Sequence, residues 1–361
     1  MKKKKRKGKI WTKVIWGFCL VASVFAGFWV ARTQIVLGSL NQDTQNVLKE
    51  VDLPEGNWKS DKKIINILII GNDYRQESGY TAAGLPDSMM IGTLDKKHKT
   101  LKLTSLMRDQ VVEIPGYGEN KLNATFSYGS DGVTTLYKTI VQNYGIKLDG
   151  YVELDFNAVK AVVNQVGGIK IELSESEANY LNRTNYIQPA KYRTVKPGMN
   201  TLNGAQALGY SRIRKIAFGI QPYTPDGLTD DYGRTWRQRN VVNAVFNKVK
   251  GMSLSQLLDL TQTILSKYVK TDLSSTDILG YVKDVVLMGT TEIYQLQIPV
   301  EGYYTNDPSY GSLGDVLLPD LAANSEALKQ FIFDYKGTPG EEFTYRPSGV
   351  TSSSSQTDTV Q

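Results

Sequence analysis

Short apolar runs, often bounded by glycine, asparagine or aspartate, recur through the middle of this chain, a pattern typical of strands buried in a β-sheet. Between several of these runs, apolar residues recur every three or four positions, which predicts helices. The predicted strands cover residues 64–70, 89–94, 101–107, 151–155, 169–173 and 293–298. The predicted helices cover residues 133–144, 156–166, 203–208 and 234–250. This alternation favours an α/β fold with a central mixed β-sheet flanked by helices.

An uncharged stretch at residues 14–31 precedes this pattern and is long enough for a transmembrane helix. At about 1.5 Å per residue it spans roughly 27 Å. Trp11, Trp16 and Trp29 lie near its ends, where membrane helices carry their aromatic belts. We therefore expect one N-terminal transmembrane helix. A cleaved signal peptide is the alternative, although no small-x-small cleavage site follows the run.

The positive charge of the chain is concentrated just before this stretch. The formal net charge is +6, and residues 2–13 contain eight lysines and arginines, so the remainder carries −2. The positive-inside rule places residues 1–13 in the cytoplasm and the chain from Arg32 onward outside the cell membrane, as a single-pass protein. The basic tail suits anionic lipids of the cytoplasmic membrane, whereas nucleic acid is not an expected partner because no basic face accompanies it.

Composition divides the exported part into segments. The α/β pattern occupies residues 62–250, preceded by a predicted stalk at residues 32–61. Residues 251–346 form a C-terminal part that is expected to pack on the same body; its predicted elements include residues 254–268, 277–287 and 318–335. Residues 347–361 are rich in serine and threonine without apolar periodicity, which predicts a disordered tail.

Five arginines fall in two groups between positions 212 and 239. In the second group, a rotation of about 100° per residue places Arg234 and Gln238 on the same helical stripe as a row of valines. Both polar side chains are therefore expected to face the protein body, whereas Arg239 falls on the opposite face and is expected to be solvated. In the first group, Arg212 and Arg214 would share one face if that segment is a strand.

Arginines that face inward require anions. Phosphate oxygens suit a planar guanidinium through paired hydrogen bonds, so several arginines in one cleft indicate a polyanionic ligand such as a pyrophosphate. The alternative is that these arginines pair with aspartates and glutamates of the same chain. The segment alone favours neither interpretation.

Two carboxylates flank a glycine-containing loop, Asp73 at its start and Asp87 at its end. Asp73 and Arg108 each follow an apolar strand, where open α/β sheets place their ligands. The chain has one histidine, His98, and its single cysteine, Cys19, lies in the predicted membrane span, so hard oxygen ligands favour Mg²⁺ over zinc. The alternative is that Asp73 shapes a turn and Asp87 caps the next strand.

Six motifs in a fixed order resemble the LytR-CpsA-Psr family of cell-envelope proteins. They are Asn-Ile-Leu-Ile-Ile-Gly-Asn-Asp, Asp-Ser-Met-Met, Leu-Thr-Ser-Leu-Met-Arg-Asp, Lys-Leu-Asn-Ala, Leu-Asn-Gly-Ala-Gln-Ala-Leu-Gly-Tyr-Ser-Arg-Ile-Arg and Gly-Arg-Thr-Trp-Arg-Gln-Arg, within residues 64–250. The resemblance implies that residues 62–250 form an extracellular, Mg²⁺-dependent phosphotransferase domain. Such enzymes move an anionic glycopolymer, such as teichoic acid or capsule, from an undecaprenyl-pyrophosphate carrier to peptidoglycan.

The resemblance also implies roles for individual residues. Asp73 and Asp87 match the family's metal-binding aspartates. The residues expected to bind pyrophosphate are Arg75, Arg108, Lys121, Arg212, Arg214, Arg234 and Gln238. Those expected to act in catalysis are Asp87, Arg108, Arg212 and Arg214.

One position departs from the family pattern. An arginine usually stands two residues before the second aspartate, and this chain has Leu85 there. Arg75 or Lys121 is expected to compensate; otherwise turnover is reduced. A paralogue that binds lipid-linked glycans without transferring them, or a pyrophosphatase, therefore stays open as an alternative. A transcriptional attenuator is a further one, but the predicted topology leaves only residues 1–13 inside the cell.

Overall fold

The computed structural model describes most of the chain that follows the predicted membrane span. It covers residues 51, 58–72, 84–129, 131–253, 256–257, 259–260, 264, 268–290 and 292–347. The predicted membrane span, most of the predicted stalk, Asp73, Arg75 and residues 348–361 lie outside this range. Within it, the structure contains no helix with both the length and the apolarity that crossing a bilayer requires.

Alternating apolar sequence produces a set of short strands. These are β1 (Ile64–Asn72), β2 (Ser88–Asp95), β3 (Thr100–Leu106), β4 (Val111–Ile114), β5 (Gly118–Lys121), β6 (Gly150–Asp155), β7 (Ile169–Leu173), β8 (Gly198–Leu202), β9 (Val269–Thr271), β10 (Ile293–Ile298), β11 (Tyr304–Tyr310) and β12 (Gly314–Pro319). Each of the six strands predicted from the apolar runs is present, with bounds that differ by at most two residues.

The central sheet is mixed, as the sequence predicted. In the part of the chain that the structure describes, its strand order is β10-β3-β2-β1-β6-β9. β1 pairs with β2 in antiparallel fashion and with β6 in parallel, while β3 is antiparallel to β2 and parallel to β10. The strands β1, β3, β6 and β10 therefore all end at the same edge of the sheet.

Helices cover both faces of this sheet. They are α1 (Gly132–Tyr144), α2 (Phe156–Gln165), α3 (Glu175–Arg183), α4 (Gly204–Ser211), α5 (Asp230–Val249), α6 (Ser275–Met288) and α7 (Leu321–Lys329). Side chains at their starts satisfy backbone N–H groups that have no partner within the helix. Asp131 caps α1, Asp155 caps α2, and Asn203 forms a capping box with Gln206 at the start of α4.

Two apolar cores result from this arrangement. The first lies between the sheet, α1 and α7, and includes Leu68, Ile70, Leu136 and Phe331. Burial of one such side chain contributes roughly 1.5–3 kcal/mol relative to exposure. The second core joins α2, α3, α4 and α5 to the β7–β8 hairpin. Because side chains alternate along a strand, Ile69 and Gly71 of β1 face away from the first core and line a cavity beside the second.

Several predicted bounds are corrected by the structure. The helix predicted at residues 203–208 continues to Ser211, so Arg212 ends a helix and does not lie on a strand. The helix predicted from Arg234 begins one turn earlier, at Asp230. Residues 318–319 belong to β12, and α7 begins only at Leu321. Most of the predicted element at residues 254–268 lies outside the described residues.

Candidate functional site

The strand ends bring the first charged residues together. Asp87 lies immediately before β2, and its backbone N–H donates to the Gly71 carbonyl oxygen at the end of β1, 3.1 Å away. Arg108 and Asp109 follow β3 after one intervening residue. Antiparallel pairing of β2 with β3 then sets Arg108 beside Asp87, and the Arg108 Nη1 donates to Asp87 Oδ1 at 2.6 Å.

Arginines from two helices complete the cluster. Arg212 is the C-terminal cap of α4, and Arg214 follows two residues later in irregular backbone. Arg234 projects from the second turn of α5, and its Nη1 lies 3.7 Å from Asp87 Oδ1. The prediction that Arg212 and Arg214 could share the face of a strand is therefore wrong, because the helical segment before them continues further than predicted.

Asp231 is the central counter-ion of this cluster. It forms ion pairs with Arg214 and Arg234, and its Oδ1 lies 4.0 Å from the Arg108 Nε. Asp231 is absent from the predicted site residues because the predicted helix begins only at Arg234. The sequence does contain a signal for Asp231, which lies three residues before Arg234. A carboxylate at that position suits the N-terminus of a helix and can form an ion pair with the arginine one helical turn later.

Asp109 forms a second bridge between cations. Its Oδ2 accepts from the Arg108 Nε at 3.3 Å and lies 3.7 Å from the Arg214 Nη2. Its Oδ1 lies 3.7 Å from the Lys121 Nζ, which projects from the end of β5. The structure therefore places Lys121 at the margin of the same cluster.

Arg212 differs from its neighbours because it has no carboxylate partner among the residues that the structure describes. Its guanidinium instead lies over the rings of Phe156 and Tyr186, with centroids at 4.7 and 5.7 Å. Contact of this kind orients a cation without neutralising it. The charged residues of the cluster are Arg108, Lys121, Arg212, Arg214, Arg234, Asp87, Asp109 and Asp231, with a formal net charge of +2.

Buried donors within the cluster also lack acceptors. Among the described residues, the Nε–H groups of Arg214 and Arg234 are buried and make no hydrogen bond. Burial lowers the pKa of the Arg234 guanidinium, and the Asp231 carboxylate opposes that shift. An unpaired buried donor is costly, so these groups are suited to an anionic acceptor that the described residues do not supply.

An apolar cavity of about 290 Å³ opens beside the arginines. Its polar end is formed by Asp87, Arg108, Arg212, Arg214, Arg234 and Gln238. Its apolar wall comes from Ile69, Met90, Leu154, Phe156, Val159, Leu208, Val241 and Val242. Arg234 and Gln238 thus face inward as their helical spacing predicted.

For the polyprenyl tail that the family resemblance implies, the sequence also predicts an apolar groove between helices such as residues 133–144 and 156–166. The observed apolar wall differs from this prediction. Phe156 and Val159 of α2 do line the cavity, but the opposite wall is the sheet and α5. Helix α1 instead packs its apolar side chains, including Leu136 and Ile140, into the first core. An apolar helix face cannot be assigned to a groove or a core without knowing the topology.

The other two arginines of the second group have separate partners. Arg237 is fully buried, and its Nε donates to Glu177 Oε1 at 2.7 Å. Arg239 does lie on the opposite face of α5 from Arg234, but it is only 8% exposed. The prediction that Arg239 is solvated is wrong because β10 covers that face of the helix: the Arg239 Nε donates to Gln295 Oε1 at 3.1 Å.

The described residues offer one suitable carboxylate to a magnesium ion. They contain no group of three or more histidine, cysteine, aspartate or glutamate side chains that could hold a metal by themselves. Asp87 accepts the Arg108 hydrogen bond through Oδ1, and among the described residues its Oδ2 accepts none, which leaves Oδ2 for a cation. Mg²⁺ commonly binds through one or two carboxylates together with phosphate oxygens and water, so Asp87 fits this type of site. Asp73 and Arg75 lie outside the described residues.

Together these features define a class of protein. An arginine cluster with unused donors lies at the carboxyl edge of an α/β sheet and continues into an apolar cavity, which is the geometry for an amphiphile with an anionic head. The sequence profile of the LytR_cpsA_psr family matches residues 34–322. The chain therefore belongs to the LytR-CpsA-Psr family.

Named relatives include transferases and a regulator. The polyisoprenyl-teichoic acid–peptidoglycan teichoic acid transferase TagT of Bacillus subtilis (strain 168) is 29% identical over 309 residues, which cover 82% of this chain and 88% of TagT. The regulatory protein MsrR of Staphylococcus aureus (strain COL) is 27% identical over 279 residues, 77% of this chain and 76% of MsrR.

Solved structures share the fold. The structure of TagT bound to LI-WTA has 24% sequence identity and a TM-score of 0.58, and the match covers 78% of this chain and 99% of that one. A structure of TagT with bound octaprenyl pyrophosphate lipid has 22% identity and a TM-score of 0.54, with the same coverage.

Proposed function

We propose that this protein is a membrane-anchored extracellular phosphotransferase. It transfers an anionic glycopolymer, such as teichoic acid or capsule, from a polyprenyl-pyrophosphate carrier to peptidoglycan. The observation that carries the proposal is Arg212, a cation without a carboxylate partner among the described residues, at the junction of the arginine cluster and the apolar cavity. The names of TagT and of its lipid-bound structure support the same carrier and reaction.

The two ends of the cavity would bind different parts of the carrier. The first isoprene units contact the apolar wall, and the pyrophosphate accepts hydrogen bonds from Arg212 and from the unused Nε–H groups of Arg214 and Arg234. Guanidinium groups held in place before the substrate arrives stabilise charge as it develops on the transferring phosphoryl group. Arg108, held by Asp87 and Asp109, is placed to contact the same group.

The reaction exchanges a phosphoanhydride bond for a phosphoester bond. The acceptor hydroxyl oxygen bonds to the phosphorus that carries the glycopolymer, and the bond from that phosphorus to the bridging oxygen breaks. Polyprenyl phosphate leaves with the bridging oxygen and its electron pair. Asp87 is the proposed acceptor of the hydroxyl proton, because it is the most exposed carboxylate of the cluster. Asp87 and Asp73 would hold Mg²⁺, which when bound supplies charge neutralisation to the pyrophosphate oxygens.

A binding protein without transferase activity is the second candidate, and Leu85 favours it. This side chain is 45% exposed, so the position where the family usually has an arginine supplies no cation. Such a protein would bind the carrier through Arg212 and its neighbours without promoting transfer. A pyrophosphatase would instead release the glycopolymer phosphate to water.

Transfer of labelled glycan from a synthetic polyprenyl-pyrophosphate donor to peptidoglycan tests these alternatives. The full chain in detergent is assayed with Mg²⁺ and after chelation, beside Arg212→Ala. Lys215→Ala is the matched control, because it removes an exposed cation three residues away. We expect metal-dependent transfer that falls by roughly 10²–10³ in Arg212→Ala and is unchanged in Lys215→Ala. A loss below tenfold would exclude a direct role for Arg212, and tight donor binding without transfer would favour the second candidate.

A further inference from the structure

A second and larger groove lies on the far side of α5 from the arginine cluster. Its volume is about 670 Å³. One wall is a face of α5, the other is the edge strand β10, and residues 340–343 close one side. Neither the proposed transfer chemistry nor the carrier lipid uses this groove.

The helical wall presents a row of uncharged polar side chains. Trp236, Asn240, Asn243 and Asn247 recur at intervals of four, three and four residues, which places them on one face of α5. Asparagine is a poor residue for a helix interior, so this row does not serve helix stability. Asn240 donates to the Tyr210 hydroxyl oxygen at 3.0 Å, but within the described chain the side chains of Asn243 and Asn247 make no hydrogen bond.

The facing strand adds further amide groups, oriented by Arg239. The Arg239 Nε donates to Gln295 Oε1 at 3.1 Å, and its Nη1 donates to Gln297 Oε1 at 3.3 Å. Because both amide oxygens are engaged, the glutamine N–H₂ groups are left to donate elsewhere. On the helical wall, Trp236 adds an aromatic side chain to the same groove.

The charge of the groove excludes a polyanion. Among the described residues, Glu292, Glu341 and Glu342 line it with Arg239 as the single cation, for a formal net charge of −2. Arg239 is buried, and burial lowers its pKa to about 10 against the effect of Glu342. The arginine cluster on the other side of α5 has a net charge of +2. The two sites therefore suit ligands of different charge.

The groove also reaches toward the arginine cluster. Gln297 on its wall pairs with Ser105 of β3, and the Met107 N–H donates to the Ile298 carbonyl oxygen at 2.8 Å. Arg108 is the next residue along the chain. At about 3.3 Å per residue along a strand and 4.8 Å between strands, the backbones at Gln297 and Arg108 lie about 11 Å apart in a straight line.

We propose that this groove binds an uncharged glycan chain that carries acetamido groups. Carboxamides match the donors and acceptors of acetamido and hydroxyl groups, and the Trp236 side chain offers an aromatic surface on which a sugar ring packs. The biological role of the groove rests on the proposed function. In that role, the groove positions the amino-sugar backbone of the acceptor so that one of its hydroxyl groups reaches the arginine cluster.

The site itself is tested by calorimetry, which measures binding of a soluble N-acetylglucosamine tetramer to the full chain in detergent. The decisive variant is Asn243→Ala with Asn247→Ala, since neither side chain bonds to the described protein and alanine favours the helix. Asn185→Ala, an exposed asparagine outside the groove, is the matched control. We expect the double variant to bind at least tenfold more weakly, while Asn185→Ala and Arg212→Ala bind as the parent does.

Two comparison probes define the chemistry. A glucose tetramer, which lacks acetamido groups, is expected to bind at least tenfold more weakly than the N-acetylglucosamine tetramer, and a glycerol phosphate polymer is expected not to compete for the groove. No binding of the acetylated tetramer, an unchanged affinity in the double variant, or competition by the phosphate polymer would each overturn the proposal.

Transfer kinetics then separate this proposal from the proposed function. A raised KM for the acceptor glycan with an unchanged KM for the donor in the double variant supports the acceptor role, whereas the reverse assigns the groove to amino sugars of the donor and overturns that role. If the parent protein transfers nothing but its tetramer binding still depends on Asn243 and Asn247, the transferase proposal fails and the glycan site stands.

Discussion

Arg212 is available to an anionic ligand because, among the described residues, its guanidinium contacts aromatic rings and no carboxylate. Phe156 and Tyr186 hold the guanidinium by contact with its plane, so the charge is oriented without being neutralised. A lysine at this position would keep the charge but lose both the planar contact and the paired hydrogen bonds. The shape of the side chain is thus as important as its charge.

The variant Arg212→Lys tests whether side-chain shape matters at this position. We expect transfer by this variant to stay within about tenfold of Arg212→Ala, with rates roughly 10²–10³ below the parent protein. Steady-state rates with the labelled donor would measure the effect. Recovery of most of the activity by lysine would show that Arg212 acts as a point charge only.

Asp231 is expected to position its neighbours without contacting substrate. Asp231→Asn removes the carboxylate that holds Arg214 and Arg234, while the net charge of the cluster rises. We expect kcat to fall roughly 10²-fold because misplaced groups lose their alignment. Binding of inorganic pyrophosphate, measured by calorimetry, is expected to persist. Loss of that binding together with kcat would instead indicate that Asp231 contributes directly to the anion site.

At the scale of single residues, the sequence predicted which way a side chain points better than it predicted what surrounds that side chain. Helical spacing correctly set Arg234 and Gln238 toward the cavity, because a periodic pattern fixes which side chains share a face. The same spacing set Arg239 apart from them, but it could not show that β10, more than fifty residues later in the chain, covers that face. Asp231 was missed because helix starts are set by the cap and first turn, which the apolar pattern does not mark.

Among the secondary-structure elements, a buried ion pair joins the β2–β3 hairpin to Gln330–Asp334, a helical segment that continues from α7. The Lys102 Nζ donates to Asp95 Oδ2 at 2.8 Å and to the Ile332 carbonyl oxygen at 2.9 Å. His98 also contacts Asp95. Burial disfavours the Asp95 carboxylate, but the hydrogen bonds from Lys102 and His98 outweigh it and lower the pKa of Asp95 below its ordinary value of 3.8.

The lowered pKa of Asp95 predicts a dependence of stability on acid. Because the folded protein binds this proton less readily than the unfolded chain, the stabilisation is fully present above the unfolded pKa, about 3.9, and is lost as the pH falls through the folded value. Thermal unfolding between pH 5 and pH 2 would measure it. Asp95→Asn is expected to be less stable at pH 5 and to lose less Tm on acidification; equal slopes would exclude this contribution.

The apolar runs predicted the strands well because burial on both faces leaves a continuous signal that needs no knowledge of the partner strand. Helix ends were predicted less well. Helix α4 extends to Ser211 beyond the apolar pattern because Tyr210 packs into the second core, which is a tertiary contact. The wall opposite α2 in the cavity was also unpredictable, since it depends on which face of the sheet each helix covers.

For the whole molecule, the distribution of charge and apolarity predicts the topology. Eight basic residues precede the uncharged stretch at residues 14–31, and the remainder of the chain is slightly acidic. In intact protoplasts, a C-terminal tag is expected to be removed by added protease and an N-terminal tag to be protected. Release of the whole protein into the medium would favour a cleaved signal peptide, and protection of both tags would contradict export.

The two proposed sites share one helix. α5 directs Arg234 and Gln238 to the cavity and its asparagine row to the groove, while Arg237 anchors the helix between them through Glu177. A single rigid element thereby fixes the distance between both ligands. Effective reaction between two bound molecules depends on such fixed geometry.

The aspartates of the arginine cluster have a consequence for turnover. Asp87, Asp109 and Asp231 are already paired to the guanidinium groups, so the proposed pyrophosphate would enter by anion exchange. Its affinity would then be the difference between two sets of ion pairs. After transfer, the remaining monophosphate product has fewer oxygens with which to bind the guanidinium groups. The same carboxylates would then re-form their ion pairs. Resident counter-ions would in this way keep a strongly cationic cleft from retaining its product.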